Sequence, residues 1–327
     1  MKKWSHVLSA AILTVGICLG YGQEAQAMVG GKPVIGISWK SPKQAKSYEA
    51  FKKIITMAGG IPVELDQIKS TDVTYAADGT VDKAYVEPSG MLKQAYADKI
   101  RHDGFERTNI QTVMQGIDGV FGTGGEDISP SLYKVPETEK NHGETINAAR
   151  DISDYALQDY CRRHDIPVLN VCRSEQMMGI VYGVTFIQDI PDYYKTQGVK
   201  AYKEIHRMAP GTPNRDYTHH AIRILPVNSK LRSIVGDDTF DKVSSWHHQN
   251  ILSVAGTGLI QTAEYTDQGL SLVEGVEDPH RKFAVGLQFH PENDIEQVVL
   301  NHKDPKGYAD VDICLAFFKA LIAASQK

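Results

Sequence analysis

The sequence predicts an α/β fold: a mostly parallel central sheet flanked by helices, followed toward the C-terminus by shorter, partly antiparallel strands. Three observations carry this. The apolar run Val34–Ser38 is followed by Tyr48, Phe51, Ile54, Ile55 and Ala58 at helical spacing and then by a second run, Ile61–Leu65. Such a β-α-β order places parallel strands side by side under a covering helix. The alternation resumes downstream, with Gly119–Phe121, Ile146–His164, Pro167–Val171 and Arg173–Tyr182 reading as strand, helix, strand and helix. From His220 onward the pattern shortens to strands alone.

The remaining elements follow in order. Gly59–Gly60 stops the first helix. Asp66–Thr108 is polar and weakly patterned, with turns at Asp78–Gly79 and Pro88–Ser89–Gly90 and a short helix near Met91–Ile100, and reads as an insertion or lid. Asn109 is placed to cap a helix through Gln115. Ile152, Tyr155, Ala156 and Tyr160 share one side of the helix ending at His164, and Gly183 ends the helix begun at Arg173. Asp189–Asp216 is irregular and rich in Tyr, Lys and Pro. Short strands are expected at Ala221–Leu225, Lys242–Ser245, Ile260–Glu264, Ser271–Gly275 and Ala284–Phe289. Asp310–Ala323 closes the chain with an apolar stripe of Ile313, Cys314, Phe317, Phe318 and Leu321. No repeat, heptad run or linker interrupts the chain, so one domain over 28–327 is expected.

The N-terminus has a different character. A basic start at Met1–Lys3, an apolar run Val7–Gly20 too short for a comfortable membrane span, and the exit Ala25–Gln26–Ala27 read as a secretory signal peptide over 1–27. Export is the expectation, to a periplasm or the medium, with no stable membrane insertion after cleavage. Cys18 leaves with that segment, and Cys161, Cys172 and Cys314 remain. An odd count flags a free thiol. Cys161 and Cys314 read as core residues, with a bridge between them left open. A net charge of -5 and the lack of a basic stripe give no reason to expect nucleic acid.

Cys172 is the centre of the chemistry. It lies in PVLNVCRSEQ, between an apolar strand and a helix start. The sharp turn lifts the side chain clear of the backbone, and the helix N-terminus adds positive potential that favours the attacking thiolate. Alone, such a cysteine reads as a small core hydrophobe. Two further segments change that reading. GLQFHPE at Gly286–Glu292 supplies His290 and Glu292, and GTGGEDISP at Gly122–Pro130 supplies a glycine turn whose N–H groups can meet at one point. A thiol, a base, a carboxylate to orient the base and a donor turn are the parts of a cysteine acyl-transfer site. His247, His248 and Gln249 form a polar run after a strand. Adjacent histidines on extended chain face opposite ways and no third ligand stands out, so no metal is expected.

PVLNVCRSEQ, SWHHQ at Ser245–Gln249 and QFHPE at Gln288–Glu292 together resemble the class I glutamine amidotransferase superfamily. GGEDISP at Gly124–Pro130, Arg150–Asp151 and the His-His-Gln run narrow the resemblance to the gamma-glutamyl-gamma-aminobutyrate hydrolase family, the C26 peptidases. It covers nearly all of Val34–Ala324. The resemblance implies a flavodoxin-like, class I glutamine amidotransferase fold and a Cys172–His290–Glu292 triad. It implies oxyanion donors at Gly125 and Arg173, and glutamyl contacts from Gly124, Gln176, His247, His248 and Gln249. No cofactor is implied. Two positions depart from the family pattern, which has glycine two residues before and after the nucleophile; here they are Asn170 and Ser174.

The expected function is hydrolysis of a gamma-glutamyl amide or isopeptide through a thioester on Cys172, releasing glutamate or a gamma-glutamyl acid. A glutamyl-ligand binding protein without turnover and the glutaminase subunit of an amidotransferase are the competing readings. The partner expected is the small-molecule gamma-glutamyl substrate, and the sequence leaves the leaving group and any homo-oligomer open.

Overall fold

The structure is a computed structural model that describes residues 28–29, 31–39, 45–133, 146–199 and 202–327. The signal-peptide expectation for 1–27 falls outside them. Twelve strands are described: β1 Met28–Val29, β2 Lys32–Ile37, β3 Ile61–Glu64, β4 Gly119–Gly122, β5 Val168–Val171, β6 Thr185–Ile187, β7 Thr218–Ile224, β8 Thr239–Ser245, β9 Asn250–Ser253, β10 Ile260–Asp267, β11 Leu270–Glu277 and β12 Ala284–Leu287. The α-helices are α1 Ala45–Ala58, α2 Gln94–Asp103, α3 Ile110–Val113, α4 Ala148–His164, α5 Arg173–Tyr182, α6 Ile190–Thr196, α7 Lys230–Val235, α8 Pro291–Ile295 and α9 Val311–Ala324.

The central sheet runs β3-β2-β4-β5-β12-β11-β10-β7-β8, with β1 added to β2. β3, β2, β4, β5 and β12 are mutually parallel. β11, β10, β7 and β8 continue the sheet antiparallel. β2 lies between β3 and β4, so the strand order reverses there, as in flavodoxin-like sheets, whose ligands sit beyond the carboxyl ends of the strands. The predicted α/β class and the antiparallel C-terminal strands are both present.

The parallel strands inside the edge strand β3, namely β2, β4, β5 and β12, are buried on both faces, and their side chains alternate between two apolar clusters. Ile35, Ile37, Phe121, Leu169 and Val171 join one cluster with residues of α1 and α9. Val120 and Val168 join the other, with residues of α2, α4 and α5. Cys161 packs in the second cluster and Cys314 in the first. Both thiols are free and buried, so they are core residues with no bridge between them.

Two sequence expectations are corrected. Residues 66–108 do not form a lid. Their apolar residues Ile68, Val73, Val81, Leu92, Ala97 and Ile100 are buried in the same cluster as α4, and Ile68 N–H donates to Ser153 Oγ at 3.1 Å. The apolar residues are spaced too irregularly to show as a periodic pattern, but they suffice to dock the segment. Asn109 makes no side-chain cap on α3, which is a single turn. Its Oδ1 instead accepts from Lys69 N–H at 2.7 Å and ties the two ends of the segment together.

Candidate active site

Three adjacent parallel strands, β4, β5 and β12, deliver the site from their carboxyl ends. The glycine turn follows β4, Cys172 follows β5 and His290 follows β12. Register brings Gly122 and Gly286 level with Asn170, and Cys172 N–H donates to Leu287 O at 2.8 Å. Backbone pairing alone therefore gathers segments far apart in sequence.

Cys172 is the N-cap of α5, at φ 49° and ψ -111°. A non-glycine residue in this region carries strain of about 1–3 kcal/mol. It is the sharp strand-to-helix elbow expected of a nucleophile. The thiol donates to Trp246 O at 3.8 Å. His290 caps α8, and its Nδ1 lies 2.6 Å from Glu292 Oε1 across Pro291. That contact leaves Nε2, which is buried without a hydrogen-bond partner. Burial works against a charged ring, yet Tyr217, Glu292 and the Cys172 sulfur together hold the His290 pKa well above its usual value. Burial also pushes the Tyr217 hydroxyl up to about 12.

Cys172, His290 and Glu292 line one cavity of about 310 Å³ with Gly124, Gly125, Tyr217 and Trp246. A Cβ on Gly124 would lie 2.7 Å from His290 Cε1 and 3.6 Å from Cys172 Cβ, so only glycine allows the turn to approach this closely.

Two buried arginines fix the turn. Arg150 on α4 donates to Gly124 O at 2.7 Å and to Glu126 Oε2 at 2.8 Å. Arg173, the residue after the thiol, donates to Glu126 O at 2.6 Å and Asp127 O at 3.1 Å. Asp154 bridges the two guanidinium groups, at 3.3 Å from Arg150 Nε and 3.0 Å from Arg173 Nε. Asp151 takes a further bond from Arg173 at 2.6 Å. Occupying the carbonyls of the turn from behind leaves its opposite edge to the cavity. This gives a physical reason for the Arg150–Asp151 pair singled out in the sequence.

Asn170 does not crowd the elbow. It exchanges bonds with Gln158 on α4, at 2.7 and 3.0 Å, and is fully buried. A Cβ on Gly122 would lie 2.2 Å from Asn170 Oδ1 and 2.7 Å from Ser174 Cβ, so the facing strand needs glycine opposite these two side chains. Ser174 Oγ donates to Thr123 O at 2.8 Å.

A second, smaller cavity of about 50 Å³ opens beside the thiol. It is lined by Gln176, Gln249 and His248, and by Glu126, Asp127 and Arg207. Gln176 Nε2 donates to Gln249 O at 3.1 Å and Gln288 Oε1 at 2.9 Å. His248 bridges Asp189 and Asp127, each at 3.0 Å. Burial would lower its pKa, but hydrogen bonds to Asp127 and Asp189 outweigh burial and raise it. Arg207 comes from the irregular stretch before β7, and nothing in its sequence neighbourhood marks it.

His247 turns the other way, as neighbouring residues on extended chain do. Its Nε2 lies 3.9 Å from Glu274 Oε1, with His206 Nε2 at 3.2 Å and His220 Nε2 at 4.0 Å from the same oxygen. Burial lowers the pKa of all three rings, His206 to about 3, His220 to about 4 and His247 well below its usual value. It raises that of Glu274 to about 7. His206, His220 and Glu274 stand close enough for one ion. No third ligand stands out in the sequence because these residues are scattered over three separate segments.

Sheet and constellation together define a class I glutamine amidotransferase-like hydrolase of the thiol type. The family profile described as Peptidase C26 matches residues 99–292, a span that contains Cys172, His290 and Glu292. The protein NtpR of Enterococcus hirae is 32% identical over 241 residues, covering 73% of this chain and 90% of its own. A Schizosaccharomyces pombe protein that carries a glutamine amidotransferase name is 29% identical over 213 residues, covering 65% of this chain and 75% of its own. A glutamine amidotransferase-like protein of Rickettsia prowazekii is 28% identical over 280 residues, covering 73% and 90%. The chain belongs to the peptidase C26 family.

Proposed function

We propose that the protein hydrolyses gamma-glutamyl amide or isopeptide bonds through a thioester on Cys172. The observation that carries this is the His290–Glu292 contact of 2.6 Å in the cavity that Cys172 lines. The thiol proton rests on His290 Nε2, whose pKa is raised, and Cys172 Sγ attacks the side-chain carbonyl as the thiolate. Glu292 holds the ring by Nδ1 and supports its positive charge. The oxyanion is met by the N–H groups of Gly125 and Arg173. As the first residue of its helix, Arg173 has no intrahelical acceptor for that N–H. Collapse breaks the C–N bond, and the proton on His290 leaves with the amine. Water, deprotonated by His290, then cleaves the thioester to give the free gamma-carboxylate and restore the thiol.

The small cavity supports a glutamyl head group. An alpha-carboxylate calls for a cation and an alpha-ammonium for anions, and Arg207 faces the same space as Glu126 and Asp127. Gly124, Gln176, His248 and Gln249 complete this side, with His247 holding the strand end behind it. Release of ammonia from glutamine, which the relatives' names bring forward, shares the first half-reaction. The larger cavity favours a bulkier amine: about 310 Å³ far exceeds the roughly 30 Å³ a water-sized molecule occupies in the liquid. The N-terminal segment supports export as the setting.

The experiment is release of glutamate from gamma-glutamyl anilide and gamma-glutamyl amines by the native chain and by Cys172→Ala. Turnover by the native chain alone is expected. Binding of glutamyl ligands by both with turnover by neither would replace the hydrolase reading with a binding protein.

A further inference from the structure

Besides the catalytic thiol, the described residues hold a second cluster that the proposed reaction does not use. Four donor atoms converge in the antiparallel half of the sheet: Nε2 of His206, His220 and His247, and Oε1 of Glu274. All four residues are buried, His206 and Glu274 completely. None of the four atoms has a hydrogen-bond partner. A carboxyl group in the interior without a donor is disfavoured, and here three imidazole edges face it and do not satisfy it.

The tautomers are set from behind. His247 Nδ1 faces Gln249 O at 2.9 Å and His220 Nδ1 faces Ala221 O at 3.3 Å. A carbonyl oxygen only accepts, so in both rings Nδ1 carries the proton and Nε2 presents a lone pair. His206 Nδ1 sits 2.5 Å from the Tyr202 hydroxyl. An imidazole oriented through its other nitrogen by a carbonyl or hydroxyl is the usual outer shell of a metal ligand. The rings of His220 and His247 pack at 4.7 and 5.0 Å from that of His206, and Tyr265 closes over His206 and His220 at 4.9 and 5.2 Å.

The spacing suits a small ion. Tetrahedral zinc with bonds near 2.0–2.1 Å separates its donors by about 3.4 Å. The distances from Glu274 Oε1 are 3.2, 3.9 and 4.0 Å. Two of them need to contract by roughly half an ångström to match that separation, and His247 must also close on the His206–His220–Glu274 set, whose donor atoms alone all lie within 4.8 Å of one another. Three neutral imidazoles and one carboxylate suit zinc better than calcium or magnesium, which favour oxygen.

We propose that His206, His220 and Glu274 hold a zinc ion, with His247, which stands outside that set in this structure, moving in as the fourth donor on binding. Four protein donors complete the shell, so the ion is structural rather than a source of bound hydroxide. It joins the loop before β7, β7 itself, the end of β8 and β11. His247 lies one residue from Trp246, whose carbonyl meets the Cys172 thiol, and one from His248, which lines the small cavity. The ion therefore anchors the wall of the substrate pocket from behind.

Chelator-stripped protein is titrated with ZnCl2 and with CoCl2, with metal content by elemental analysis, the visible Co2+ spectrum and the thermal midpoint as readouts. One zinc per chain, an intense tetrahedral Co2+ band and a raised midpoint are expected for the native chain and equally for Cys172→Ala. His206→Gln and Glu274→Gln are expected to weaken zinc binding by about 100-fold or more. A native chain that takes up neither metal overturns the site, as does binding unchanged in both ligand variants or abolished by Cys172→Ala, which would place the ion on the catalytic thiol. None of these readouts depends on turnover, so loss of the hydrolase reading leaves the test intact.

Discussion

Gly124 and His290 stand so close that a single methyl group would separate them: a Cβ at 124 lies 2.7 Å from His290 Cε1. The donor turn and the base are thus fitted to one another across the reacting space. Gly124→Ala is expected to displace the imidazole or the turn. A misplacement of about 1 Å costs on the order of 100-fold in rate. Steady-state kinetics should show the loss in kcat, with thermal stability little changed.

Glu292→Gln removes the charge that supports the imidazolium. Loss of the orienting carboxylate in hydrolytic triads costs about 10⁴ in kcat, and a fall of about 10³–10⁴ is expected here. The sign of the pH effect follows from the raised His290 pKa. Without Glu292 the ring loses its proton at lower pH, so the alkaline limb of kcat/KM moves down. A pH profile of the two proteins checks this.

Asn170 and Gln158 satisfy one another in the core, so removing one leaves an unpaired amide. Gln158→Leu is expected to cost about 1–3 kcal/mol, and the double change with Asn170→Leu to recover most of it. Denaturant unfolding of both singles and the double closes the cycle.

Asp127 and Asp189 raise the pKa of His248 against the effect of burial. Its folded pKa lies above the unfolded value of about 6.5. The stabilisation is thus complete below that value and fades as pH rises through the folded pKa. The gap in thermal midpoint between native protein and His248→Gln should be widest near about pH 6 and narrow toward about pH 9.

The parts of the fold legible in sequence were those with local causes. α5 runs from Arg173 to Tyr182 and ends on a left-handed Gly183, as the apolar pattern and the glycine indicate. The Cys172, His290 and glycine-turn segments could be found because each carries a short signature at a strand end. The docking of residues 66–108 on α4 was not legible, because its contacts depend on tertiary partners rather than on a period. β6 and β9 were missed as short strands that form a sheet only with each other. Arg207 and the His206–His220–His247–Glu274 cluster share the same difficulty. Their members are dispersed along the chain, and only the pairing of β7, β10 and β11 brings them into range.

Glycine tolerates the φ 49°, ψ -111° of Cys172 far better than any side-chain-bearing residue. Cys172→Gly should therefore melt at a higher temperature than the native chain while losing all reactivity. Reactivity here is maintained against a conformational gradient, so descendants released from the need for it would drift toward sturdier, silent forms that keep the whole architecture.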